Sequence, residues 1–412
     1  QDNFFELGGD SILSLQIVAR LRRAGWKVTP RQLFERQSVM SLAGVAERAD
    51  AADAAAGPSQ APASGAVPLL PIQAEFLESD IPARHHWNQA ILLQIRGVLD
   101  PARLARALDA VVRHHDALRM RYAQDAQGQW RQAYGAPGEV GEAELLWVRR
   151  ADTPAAAAAL CEAAQRSLDL ERGPLLRALA LELPGSGASG TADASGTAAT
   201  PATPASQWRL LLAIHHLVID GVSWRILLED LQSAYACAQD RAIDLPHKTS
   251  AYQAWGERLQ AYPDAHPDEA AWWERLADVP AHLPCDWPDG ADTFRHHVGA
   301  SVTLDRAATQ RLLKDAPAAY RTQVNDLLLT ALGRALCAWS GHARILIDLE
   351  GHGREDLHDD LDLSRTVGWF TSLYPILLDP QGEPGAALKR VKEDLRRIPR
   401  RGIGYGLLSH LG

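Results

Sequence analysis

The chain holds 412 residues, with 42 Lys and Arg against 51 Asp and Glu, a net charge of −9 at neutral pH. That balance argues against a nucleic-acid binder, and no apolar run approaches the roughly 20 residues of a membrane span. The four cysteines (Cys161, Cys237, Cys285 and Cys337) form no CxxC pair, so no zinc site or redox pair is expected and the expected compartment is the reducing cytoplasm. At roughly 100–200 residues per domain the length allows two to four units. No secretory signal opens the chain, which starts at Gln1 with residues that already form a motif, so it is expected to be a piece of something longer.

In chain order, Ser11 precedes Ile12, Leu15, Ile17, Val18 and Leu21, a spacing that predicts an amphipathic helix. Thr29 reads as the cap of a second helix with Pro30 at its first position, and Leu33, Phe34, Met40, Leu42 and Val45 should pack back on the first. Residues 1–49 thus form a small helical unit. Residues 50–67 are Ala, Ser, Gly, Pro and Asp, which predicts a flexible linker. The large unit, 68–412, opens with an amphipathic helix over 101–120 that buries Leu104, Leu108 and Val111. Two apolar strands, Leu175–Leu183 and Trp208–Ile214, flank a low-complexity stretch at 184–206, which predicts a disordered insertion between paired strands. A helix follows over 221–238 through Trp224, Leu228, Leu231 and Tyr235. Another spans Gln323–Trp339 on Leu328, Leu332, Leu336 and Trp339, ahead of a strand at 343–350. The order of helix, strand and polar motif occurs once in each half. That predicts an α/β (α+β) unit of two lobes, about 68–245 and about 246–412.

Three short segments carry chemistry. In LGGDSIL (7–13), Gly8 and Gly9 permit a tight turn, and Ser11 stands at a helix start, either as a cap or as an anchor for a phosphodiester. In HHLVIDG (215–221), a strand delivers His215 and His216 to a junction where a helix begins after Asp220 and Gly221. An imidazole there suits acid–base work near neutral pH, although two polar turn residues would read the same way. Adjacent histidines on a strand face opposite ways, so they are poor co-ligands and no metal is expected. A second HHD, at 114–116, ends a helix and lacks the downstream Asp-Gly; it reads as structural. In EGHGRE (350–355), Glu350 ends a strand beside a glycine-rich turn with Arg354 behind it, which suits either a site carboxylate or a solvated loop.

As whole strings these segments resemble a known family. LGGDSIL and the helix after it resemble the attachment site of a peptidyl carrier (thiolation) domain of nonribosomal peptide synthetases, in a variant often followed by an epimerase. HHLVIDG resembles the signature of the condensation-domain superfamily, and EGHGRE resembles the epimerization domains within it. PIQAEFLE (71–78), HHWNQA (85–90), NDLLLTALGRAL (325–336), RTVGWFTSLYPILL (365–378) and IPRRGIGYG (398–406) match in the same order. The resemblance implies a small helical-bundle carrier joined to a two-lobed, chloramphenicol-acetyltransferase-like epimerization domain with its active-site channel between the lobes. It implies 4′-phosphopantetheine on Ser11, a catalytic His216, and Asp220 holding its loop beside a basic residue while Gly221 permits the turn. The implied partners are a phosphopantetheinyl transferase, an upstream adenylation domain and a downstream condensation domain, with no nucleic acid and no membrane. The family's first carrier helix and a final stretch with a further tyrosine are absent, so both domains are expected to be truncated.

Inverting a Cα needs a proton removed on one face and returned on the other, and a thioester makes that hydrogen more acidic. His216 and Glu350, one from each lobe, are the expected pair, with His215, Asp220, Gly221 and Arg354 in support. A carboxylate in a closed channel would have a raised pKa, and Arg354 would organise its loop or pair with Asp220. The rival expectations are a condensation domain, which shares His216 and forms peptide bonds, and a silent docking module.

Overall fold

Several helices start where a side-chain oxygen takes a free backbone N–H just ahead of a proline. Thr29 caps a helix opened by Pro30, Asp100 one opened by Pro101, and Thr153 one opened by Pro154. The computed structural model describes residues 2–5, 7–9, 11–48, 58–184, 207–238, 242–279, 281–291, 293–358 and 360–410. Contacts divide the chain into two units. The first comprises Gln1–Ala51, Ala261–Leu357 and Thr371–Gly412, the second Ala52–Gln260 and His358–Phe370. Among the described residues no helix is long and apolar enough to cross a membrane.

The N-terminal segment is the expected helical unit. It holds α1 (Ser11–Arg23), β1 (Trp26–Lys27), α2 (Pro30–Glu35), α3 (Val39–Ala43) and β2 (Glu47–Arg48), with β1 and β2 paired antiparallel. Ser14, Val18, Val28 and Leu33 are buried. Met40, expected in this core, is 64 % exposed, because the five-residue α3 buries none of its residues. The side chains of Ile12, Leu15 and Phe34, and residues 50–57 of the expected linker, lie outside the described residues.

The linker reading fails for 58–67. Such a composition supplies little core beyond the buried Val67, but its polar groups still find partners. Lys248 N–H donates to Gln60 Oε1 (2.8 Å), Ala63 N–H to Asp116 Oδ1 (3.2 Å), and Gly65–Val67 forms β3. The second unit continues with α4 (Pro71–Glu78), β4 (Asn88–Ile95), α5 (Pro101–His114), β5 (Met120–Gln124), β6 (Trp130–Tyr134), β7 (Leu146–Arg150), α6 (Pro154–Arg166), β8 (Leu176–Leu183), β9 (Gln207–His215), α7 (Gly221–Cys237) and α8 (Tyr252–Gln260). One sheet runs β3-β6-β5 and the other β4-β9-β8-β7, where β7 and β8 are parallel and the other neighbours antiparallel. The two apolar strands pair as expected, Leu183 opposite Gln207; residues 185–206 of the expected insertion lie outside the described residues. Leu104, Leu108 and Val111 of α5 are buried as the spacing predicts.

The expected lobe boundary at 245/246 is displaced, because 246–260 and 358–370 are tied into the second unit. Ser250 N–H donates to Asp362 O (2.8 Å), Thr366 Oγ1 to Ser250 O (2.7 Å) and Tyr252 OH to Trp369 O (2.8 Å). Beneath them lies a buried polar network. His115 Nε2 meets Asp230 Oδ2 at 2.9 Å, while Arg365 bonds the other Asp230 oxygen and Glu229 (2.8 Å). Lys248 and Arg119 hold Asp116. The HHD at 114–116 is thus framework, as expected, and burial together with the neighbouring His115 pushes the His114 imidazole down to about 4.

The rest of the first unit holds α9 (Glu269–Glu274), α10 (Val324–Ser340), β10 (Ile345–Gly351), β11 (Ser372–Leu378), α11 (Pro384–Arg397) and α12 (Ile403–His410). Strands β10 and β11 pair antiparallel over a core of Trp273, Leu276, Leu329, Cys337, Ile345, Tyr374, Ile376, Leu378 and Val391. Helix α10 forms where expected but turns another face inward. Leu329, Gly333 and Cys337 are buried and, of the expected face, Leu336 packs against the core, whereas Leu328, Leu332 and Trp339 are 43–60 % exposed. The helix is apolar on several sides, and its small residues win the contact because a Cβ at Gly333 would already sit 3.1 Å from Leu378.

Replacing Asp230 by Ala leaves Arg365 and His115 buried without their shared carboxylate. Urea unfolding should show a loss of about 3–5 kcal/mol, and a loss within experimental error would show that the network contributes no net stability.

Candidate active site

Strand β9 lies between β4 and β8, so its last residues are held from both sides. His215 pairs opposite Asn88 and is fully buried. Its Nδ1 accepts the Leu217 N–H (3.2 Å), so the ring proton sits on Nε2 and goes to Arg84 O (2.8 Å). Burial pushes this imidazole down to about 4. His215 is therefore a neutral structural ring whose bonds shape the turn after β9.

His216 begins a short 3₁₀ turn (His216–Val218), its N–H donating to Trp87 O (2.9 Å). Around its side chain stand residues assigned no site role from the sequence. Gln89 of β4 places Nε2 at 2.9 Å from His216 Nε2, and Trp224 of α7 donates its indole N–H to Gln89 Oε1 at 2.6 Å. Trp369 stacks against the imidazole with centroids 4.3 Å apart, and Phe76 packs edge-on to Trp369. Three of these, Phe76, Gln89 and Trp369, lie in segments noted only as family matches, PIQAEFLE, HHWNQA and RTVGWFTSLYPILL; their convergence needed the β4–β9 register and the return of 358–370.

Asp220 is the N-cap of α7. Its Oδ1 accepts Ser223 N–H (2.7 Å) and its Oδ2 accepts Phe370 N–H (3.2 Å). Ser223 Oγ completes the tie by exchanging bonds with the Gly368 backbone, at 3.1 and 3.2 Å. Asp220 thus ties the start of α7 to the 368–370 segment through backbone donors. The expected role of Gly221 is not met. It is the first residue of α7, its φ lies outside the left-handed range, and a Cβ there would touch nothing within 4 Å, so no turn requires glycine.

In the first unit Glu350 stands on β10 opposite Leu373, near the strand end, and is exposed. The chain then turns through Gly353, whose φ of 65° favours glycine. His352 Nδ1 accepts the Arg354 N–H (3.0 Å), and the Arg354 residue is buried. A raised carboxylate is found at Glu355. It lies 3.6 Å from His352 Nε2 and 3.8 Å from Arg401 Nε, and burial pushes it up to about 7 against the opposing pull of Arg401. The same carboxyl helps push Tyr374 up to about 12, after burial. The signal for Glu355 was the second acid of EGHGRE, but only packing tells which of the two is enclosed.

In the N-terminal unit an exposed turn at Leu7–Gly8, with Gly8 at φ 94°, leads to Ser11, the first residue of the 13-residue α1. The Ser11 side chain lies outside the described residues. An exposed turn ahead of a helix start fits a tethered phosphodiester.

The sequence profile of the Condensation domain matches residues 63–187 and 200–412, and that of the Phosphopantetheine attachment site matches 1–46. One of the linear gramicidin synthase proteins of Brevibacillus parabrevis is 44 % identical over 423 residues, covering 100 % of this chain and 8 % of that protein. The chain therefore spans less than a tenth of that relative. The crystal structure of the epimerization domain from the third module of tyrocidine synthetase B superposes with a TM-score of 0.75 at 37 % identity, over 86 % of this chain and 78 % of that one. The condensation domain of the Monacolin K polyketide synthase MokA shares the fold, with a TM-score of 0.62 at 18 % identity over 84 % and 76 %.

Folded Glu355 keeps its proton to about pH 7, whereas its ordinary value is 4.5. Its contribution to stability is therefore full below 4.5 and is lost as pH rises through 7. Glu355→Gln should remove that slope, raising stability by up to about 3 kcal/mol at alkaline pH with little change in acid. Thermal melts at about pH 5 and about pH 8 measure the difference, and equal effects at both would contradict it.

Proposed function

Because the chain belongs to the condensation-domain family and carries a phosphopantetheine attachment site ahead of that domain, we propose that it epimerises the Cα of an aminoacyl or peptidyl group carried on Ser11 during nonribosomal peptide synthesis. The observation that supports this over peptide-bond formation is the 37 % identity to an epimerization domain beside 18 % to a condensation domain of the same fold. The EGHGRE segment at 350–355 supports it as well.

The pantetheine thiol, when charged, holds the acyl group as a thioester and so acidifies its Cα–H. The side chains do the rest. His216 takes or returns a proton on one face of Cα and Glu350 on the other. His215 stays neutral and fixes the turn, Asp220 fixes the start of α7, and Arg354 organises the loop after Glu350. The proposed partners are a phosphopantetheinyl transferase that modifies Ser11, an upstream adenylation domain and a downstream condensation domain.

Ser11 loaded with an aminoacyl-pantetheine in D2O should give deuterium at Cα and a mixed D/L product. His216→Ala and Glu350→Gln should each slow that exchange by roughly 10²–10⁴-fold. Peptide-bond formation without exchange would replace this reading by a condensation activity, and neither reaction would leave a docking module.

A further inference from the structure

The contacts around His216 decide which ring nitrogen carries its proton. An indole N–H can only donate, so the Trp224 bond at 2.6 Å fixes the Gln89 carboxamide with its oxygen toward Trp224. The Gln89 NH2 then faces His216 Nε2 at 2.9 Å, and a donor there requires a lone pair on that nitrogen. We propose that Gln89, locked by Trp224, is a positioning residue that holds His216 as the Nδ1–H tautomer and keeps Nε2 as its basic atom. The neighbouring ring is held the opposite way. His215 Nδ1 accepts from Leu217 N–H and its Nε2 donates to Arg84 O. Two consecutive histidines are thus set in opposite tautomers by fixed donors and acceptors.

Three elements contribute to this arrangement, and its rigidity follows from them. Gln89 sits on β4, whose register against β9 pairs it with Ile214. Trp224 sits in the first turn of α7, after the Asp220 cap. Trp369 covers the ring face at 4.3 Å. A Gln89 flipped to accept from His216 would aim its NH2 at the Trp224 indole N–H, donor against donor. The relevance to catalysis rests on the epimerase reading; the tautomer itself does not.

The test uses the whole chain labelled with ¹⁵N-histidine, with the His216 signals assigned by their loss in His216→Ala. In long-range ¹H–¹⁵N spectra of the neutral rings, His216 should show Nδ1–H and His215 Nε2–H. Gln89→Glu is nearly isosteric and keeps an acceptor for Trp224, but turns an acceptor toward His216, so the ring should switch to Nε2–H. Trp224→Phe keeps the packing and removes the lock, so a mixture should appear. Gln89→Glu and Trp224→Phe should also slow Cα–H exchange on the loaded chain by roughly 10–100-fold while leaving the loading of Ser11 unchanged. An Nε2–H ring in the unaltered protein, or a tautomer indifferent to both substitutions, overturns the proposal. If the tautomers behave as stated but the unaltered protein exchanges no Cα–H, the functional reading fails and this one stands.

Discussion

The carboxylate of Asp220 is the constraint on which the His216 surroundings depend. One of its oxygens caps α7 and the other accepts the Phe370 N–H, so it fastens a helix start to a segment 150 residues away in sequence. Ser223 doubles the tie at Gly368. Between these anchors Trp369 is left no choice but to lie on His216. Without that tie, Gln89 and Trp224 would still meet across β4 and α7, but the imidazole face would open to water.

Much of this was legible in the sequence. The cap at Thr29 and the pairing of the two apolar strands follow from local chemistry that tertiary contacts do not overrule. The strand and helix flanking His216 and the strand bearing Glu350 belong to the same class. What was not legible arose where several choices were locally equal. Helix α10 is apolar on more than one side, and only the small size of Gly333 and Cys337 selects the buried face. The stretch 58–67 buries Val67 alone among its apolar side chains, yet its backbone completes a sheet edge, which composition cannot report. Lobe boundaries were misplaced because 358–370 returns to its unit over a long sequence gap.

The two histidines and the two glutamates teach a similar lesson about chemical identity. His215 and His216 are the same residue type one position apart, yet one is a sealed hydrogen-bonding strut and the other is paired with an amide and an aromatic face. Glu350 and Glu355 differ likewise, one exposed on a strand and the other enclosed beside Arg401. A motif string names the residue types; the enclosure of each side chain assigns the task.

The pairing of Leu183 with Gln207 has a consequence of its own. The chain leaves the sheet at Leu183 and re-enters it opposite, at Gln207 on the adjacent strand, so the two ends of the connection lie side by side. Closing such a loop costs free energy that grows only with the logarithm of its length, about 0.6 kcal/mol per doubling. The hairpin is therefore a permissive port: residues can be added or removed there while β8 and β9 keep their register and the histidines at the far end of β9 keep theirs.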